Sequence, residues 1–255
     1  MSEQGSPLSS GGESYASAAT RVPADKRASY WEDFIDIFYA PSAVFRRREH
    51  AGFGVPMLVV TVLITVIAVA TTSALQPVLD AEAARVLVEM QQRRPDLPPN
   101  AGASLRTGME LTARWGPLLM IPVMMFLVGL ALWVVGKAVD AKQSLGASIM
   151  VASYAFVPRV VGSLVNGVQG LLLDPSTLNG FNRLSIGPAR FVDADSASRG
   201  LVLLLTRLDL WTLWSTVLLA IGLSVTGKVS RAKGALAAAA VWVLASALML
   251  ARTLG

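Results

Sequence analysis

The chain has no cysteine and one histidine, His50. Without thiols there is no disulfide, no thiolate metal site and no cysteine nucleophile. His50 lies in the stretch RRREH with no second histidine to share a metal. The serines and threonines in the apolar runs have no histidine base, so a Ser–His–Asp arrangement cannot be assembled around them. A glycine-rich phosphate loop is also missing. Charge is scarce: 15% of residues are charged against 53% hydrophobic, and the mean hydropathy is +0.54. These absences leave catalysis the weakest function class, and neither a cofactor nor a metal is expected.

What the chain does have is long uncharged runs. Residues 51–79, 115–136, 210–227 and 234–251 carry no charge, and 143–173 carries only Arg159. Apolar runs of about 18 or more residues read as membrane spans. The expected fold is therefore all-α, a polytopic helical membrane protein with five transmembrane helices. The spans are expected at about 53–79, 115–137, 146–173, 208–227 and 234–252. Residues 1–27 are rich in Ser, Gly and Ala, lack the apolar core of a cleavable signal peptide, and read as a disordered tail. Residues 28–50 form a cytoplasmic interfacial amphipathic segment, and 51–255 the membrane domain.

The net charge of +5 does not point to nucleic acid, because the basic residues flank the spans. All five lysines (26, 137, 142, 228 and 233) and the run Arg46, Arg47, Arg48 fall on the side of the N-terminus. In the other two loops, 80–114 and 174–208, arginines are mixed with acids. By the positive-inside rule the N-terminus is cytoplasmic and the C-terminus outside. An abundance of Ala, Val and Gly, with 17 Arg against 5 Lys, suggests a GC-rich bacterial genome and hence the bacterial cytoplasmic membrane.

Ahead of the first run, Trp31, Phe34, Ile35 and Phe38 recur at helical spacing, with Glu32, Asp33 and Asp36 turned away. Ser29 and Glu32 have the form of a capping box, and Pro41 suits the first turn of a second helix. An aromatic face (Trp31, Phe34, Phe38, Phe45) followed by Arg46, Arg47 and Arg48 predicts contact with anionic membrane lipids or with a protein partner. Simple packing against the bundle is the competing explanation. Two short helices broken at PDLPPN are expected in 80–114. Residues 201–209 are either an interfacial helix or the beginning of the fourth span. Trp211 and Trp214 suit an aromatic belt at the outer interface, and Gly162, Gly167 and Gly170 suit close helix packing.

Three stretches resemble the Yip-domain family. DIFYAPSAVF (36–45) is similar to the segment leading into the first span of that family, and ASYAFVP (152–158) to its aromatic-to-proline motif. LDLWTLWSTVLLAIGL (208–223) resembles the stretch in which an Asp opens the fourth span. The resemblance covers roughly 33–250 and implies five spans, a cytoplasmic N-terminus and a non-enzymatic role. Among eukaryotic members that role is engagement of small GTPases and vesicle trafficking.

Arg159 needs a separate account. An arginine at the middle of a span costs about 2.5–3.5 kcal/mol on insertion scales. Pro158 frees the carbonyl of Tyr154 to accept from the guanidinium, and Asp209 is the best carboxylate candidate. Three readings stay open: a structural pair or carbonyl cap built from Tyr154, Pro158, Arg159 and Asp209; an intramembrane site for an anion or lipid headgroup, as in a small permease or channel; and a snorkelling side chain without a partner.

Overall fold

The computed structural model describes residues 29–254, so the expected tail at 1–27 lies outside the described residues. Every regular element among them is helical. Ten α-helices run in chain order: α1 Tyr30–Asp36, α2 Pro41–Arg48, α3 Gly54–Thr71, α4 Gln76–Arg93, α5 Ala101–Ala138, α6 Leu145–Ala155, α7 Val157–Leu172, α8 Arg199–Thr206, α9 Leu210–Thr226 and α10 Arg231–Leu254. Three short 3₁₀ segments lie between α7 and α8.

Four helical stretches are long and apolar enough to cross a bilayer: α3, α5, the continuous pair α6–α7, and α10. The pair α8–α9 makes a fifth if it is one crossing, bent by 53° at its break. The 18 residues of α3 rise about 27 Å, close to the hydrocarbon thickness of roughly 30 Å. The first uncharged run is longer than its helix. The chain turns at 72–75 and α4 sets off before residue 79. α4 and α5 meet across the break at 94–100, and α5 then continues unbroken for 38 residues into the membrane stretch.

The centre of the bundle is α6. Each residue from Ala147 to Ala155 is buried, as suits a helix that is apolar all round. The most apolar window of α6–α7 is 67% buried, against 17% for that of α5, whose Leu, Val and Met side chains face outward. Close packing at α6 depends on glycines in its neighbours. A Cβ at Gly129 of α5 would lie 2.7 Å from the Ile149 Cα, and one at Gly222 of α9 would collide with Val151. This is small-residue packing, which membrane helices use where no hydrophobic effect separates helix from lipid.

The two ends of the bundle differ. The amino face carries α1, α2 and two tight turns, joined where the Lys142 N–H donates to the Gly227 carbonyl at 3.0 Å. The far face is covered by the 173–209 segment, tied down by ion pairs from distant parts of the chain. Arg85 bonds Asp195 at 2.6 Å and Arg199 bonds Glu89 at 3.2 Å. Beneath lies a small apolar cluster of Val78, Leu178 and Leu184.

Candidate functional site

On the amino face, Ser29 and Glu32 form the expected capping box of α1. The helix is turned differently from the sequence expectation. Asp33 is not directed away from the bundle; it is fully buried, together with Ile37 one turn later. The cause is long-range. Pro41 starts α2 after a short turn, so α2 folds back beside α1 and brings Arg47 and Arg48 over the Asp33 carboxylate. Arg48 Nε lies 2.5 Å from its Oδ2 and Arg47 Nη2 lies 2.9 Å from its Oδ1. Tyr154, on α6, donates its hydroxyl to Oδ2 at 3.0 Å. A buried carboxylate is tolerable when its charge is paired, and here two guanidiniums pair it while Oδ2 also accepts the Tyr154 hydroxyl.

The surroundings complete the cluster. The Arg48 guanidinium stands 4.0 Å from the Tyr30 ring centroid, and Phe34 and Phe45 pack against Tyr154 with centroids 5.9 and 6.4 Å apart. Further out, Arg47 bonds Asp36 at 2.5 Å and Tyr39 donates to Asp36 at 2.9 Å. The Arg47 hydrogen bond, with help from Tyr39, holds the Asp36 carboxyl below its ordinary pKa. The bond to Asp36 raises that of Tyr39.

The expected contact residues therefore divide. Phe45 is fully buried in the core, Arg48 is committed to Asp33, and Phe34 and Phe38 are partly buried against the bundle. Arg46 is exposed and Arg47 is partly open while holding Asp33 and Asp36. The stripe that faces outward is Trp31, Ile35 and Tyr39, at 65%, 62% and 70% exposure. Sequence reasoning missed Asp33, whose one local signal was its i, i+4 spacing to the apolar Ile37.

A second constellation sits deeper, where α6 passes into α7. The chain breaks at Phe156 with Pro158 in the first turn of α7, and the Arg159 N–H reaches back to the Phe156 carbonyl at 2.9 Å. The Arg159 side chain takes neither expected partner. Its buried Nε has no hydrogen-bond partner, and its guanidinium stands 5.0 Å from the Phe156 ring centroid. Tyr154, with its hydroxyl on Asp33, belongs to the amino-face cluster.

Asp209 is the N-cap of α9, accepting from the Trp211 N–H at 3.0 Å. Its other oxygen accepts from the Ser185 hydroxyl and the Ile186 N–H at 2.9 and 2.8 Å. Among the described residues it makes no ion pair with Arg159. The two still meet across one cavity of about 280 Å³, lined also by Gly162, Asn166 and Trp211. The Trp211 ring lies against Gly162, where a Cβ would come within 2.8 Å.

A family model for the Yip1 domain matches residues 35–252, nearly all of the described chain. The chain belongs to the Yip1-domain family. No curated protein and no solved structure matches it.

Proposed function

We propose that this Yip1-domain membrane protein acts by binding, as a non-enzymatic adaptor, through a protein partner docked on the outward stripe of α1. The observation that carries this reading is the pairing of a rigid mount with an exposed apolar edge. Asp33 fastens α1 to α2 and α6; Trp31 and Ile35, one helical turn apart, then stand on the outside, with exposed Tyr39 in the turn that follows. Exposed large aromatics on a fixed helix are what interface anchors are made of.

Charge favours a protein over an anionic lipid surface at this edge. Glu32 is exposed beside the stripe, and Asp36 is kept ionised by Arg47. A partner with an apolar centre and a basic rim complements such a surface, whereas acidic headgroups are repelled by it.

The expected sidedness rests on the lysines. Lys137, Lys142, Lys228 and Lys233 all lie at the amino face, whereas the basic residues of the far face are arginines only. Lysines gathered at the amino face fit a cytoplasmic N-terminus, in a bacterial cytoplasmic membrane.

Deleting the whole segment is a poor test, because Ile37, Val44 and Phe45 belong to the core. The cleaner test is the double substitution Trp31→Ala, Ile35→Ser, read beside photo-crosslinking from position 39 in native membranes, with the crosslinking residue in both proteins. We expect a discrete protein adduct that the variant loses while its melting temperature is unchanged. Crosslinks to lipid alone would refute the adaptor reading.

A further inference from the structure

The adaptor reading leaves the Arg159 cavity without a role, and the cavity has the makings of a ligand site. Arginine keeps its proton in proteins, so its charge is permanent. A buried charge without a counterion costs several kcal/mol, and a protein ordinarily supplies a carboxylate. Here the nearby carboxylate is already engaged. Both Asp209 oxygens are held by Ser185, Ile186 and Trp211, and it forms no ion pair with Arg159. Arg207 adds a second cation close by, bonded through its Nε to the neutral Ser246 hydroxyl at 3.1 Å. Two cations and one anion leave an excess of positive charge beside the cavity.

Two donors in the wall lack acceptors. The buried Nε of Arg159 and the buried indole Nε1 of Trp211 both lack a hydrogen-bond partner. They come from different helices, α7 and α9, and border the same space. Asn166, one helical turn beyond Ser163, adds an amide to the lining. Unsatisfied buried donors from two packed helices, with surplus positive charge, are what remains when an anion is taken out of its site.

Depth agrees with this. Counted along α6–α7 from Leu145, Arg159 lies about 21 Å from the amino end, and Asp209 lies about 26 Å along α9 from its own amino-face end. The two therefore sit at similar levels, towards the far side of a roughly 30 Å hydrocarbon layer. A short α9 allows this: the helix begins at Leu210, and the segment before it brings Phe181, Leu184 and Ser185 to the cavity as a roof. Around the cavity, Val161, Leu164, Leu208 and Leu210 are exposed to the surroundings of the bundle, as a site beside acyl chains requires.

We propose that this cavity binds a phosphate-bearing anion, with Arg159 as the charged anchor and the Trp211 N–H as the second donor. A phospholipid headgroup of the far leaflet and a free phosphate carry the same chemistry, and the experiment separates them. The full-length protein is purified in neutral detergent, and its melting temperature is followed while inorganic phosphate is titrated. In parallel it is placed in nanodiscs of phosphatidylcholine, alone or with phosphatidylglycerol mixed in.

A rise with inorganic phosphate identifies a free anion. A rise with phosphatidylglycerol alone identifies a headgroup. Arg159→Gln should abolish whichever response occurs. Trp211→Phe, which keeps an aromatic ring and removes the donor, should weaken it about 10- to 150-fold, the usual worth of a hydrogen bond to a charged group. Lys142→Gln, on the amino face, should leave it intact. Wild type unresponsive in both arms, or a response that survives Arg159→Gln, overturns the proposal. Should Arg159→Gln fail to fold, Trp211→Phe decides, and an unchanged affinity there is equally fatal.

Discussion

Asp33 is the residue on which the amino face turns. Asp33→Asn keeps the shape and removes the charge, leaving Arg48 and Arg47 over a neutral amide. Interrupting a buried pair costs about 3–5 kcal/mol, and the partly open Arg47 places this variant near the lower figure. Tyr154→Phe removes one hydrogen bond to a carboxylate and should cost about 1.5–3 kcal/mol. In a thermal-unfolding series the double variant should lose less than the sum, because both changes act on one carboxylate. Full additivity would mean that the two do not communicate.

A pH dependence belongs to the same cluster. Asp36 has its pKa lowered by Arg47 in the folded state, so its contribution is present above the unfolded value of about 3.9 and is lost as pH falls through the lower folded value. Tyr39 has its pKa raised, so its contribution is present below about pH 10 and is lost as pH rises through the folded value. Hydrogen-exchange protection over residues 30–48, taken relative to the intrinsic rate at each pH, should therefore fall in strong acid and again in strong base, and be greatest between. Asp36→Asn should remove the acid limb.

At the level of elements, α6 is the helix around which the others are fitted, and the glycines facing it are the sensitive positions. Gly222→Leu would drive a side chain into Val151 and towards Phe45, which lies 3.2 Å from the position of an added Cβ. Overpacking of this kind typically costs about 1–3 kcal/mol and should loosen α2 as well as α9. Gly52 and Gly54, where an added Cβ meets nothing within 4 Å, should accept alanine with no such loss. Comparing the yield of folded protein for Gly222→Leu and Gly54→Ala would show whether close approach at α6 is the constraint.

For the molecule as a whole, the absence of cysteine makes every introduced thiol a clean reporter. The bundle is sealed at α6 and has a cavity at the start of α7. Met150→Cys, at a fully buried position, should resist aqueous thiol reagents. Asn166→Cys, on the cavity wall, should react, and should be protected by whichever phosphate ligand stabilises the protein. Equal reactivity at both positions would mean that water enters the bundle throughout.

The amino-acid sequence alone determined the helical membrane class, because long uncharged runs have only one stable use and bilayer thickness fixes their length. It also determined the capping box at Ser29, the helix break at Pro158 and the family, since these depend on neighbouring residues or on a linear pattern. Tertiary structure decided the rest. Asp33 and Tyr154 lie 121 residues apart, and local periodicity cannot report a hydroxyl arriving from another helix. The rotation of α1 followed from that contact: a paired carboxylate can be buried, so the burial of Asp33 and Ile37 left Trp31 and Ile35 outside. Arg159 was conspicuous as a lone charge in an apolar run. Only the fold could show that Asp209 is occupied elsewhere, because the hydrogen bonds that hold it come from a loop folded back over the bundle.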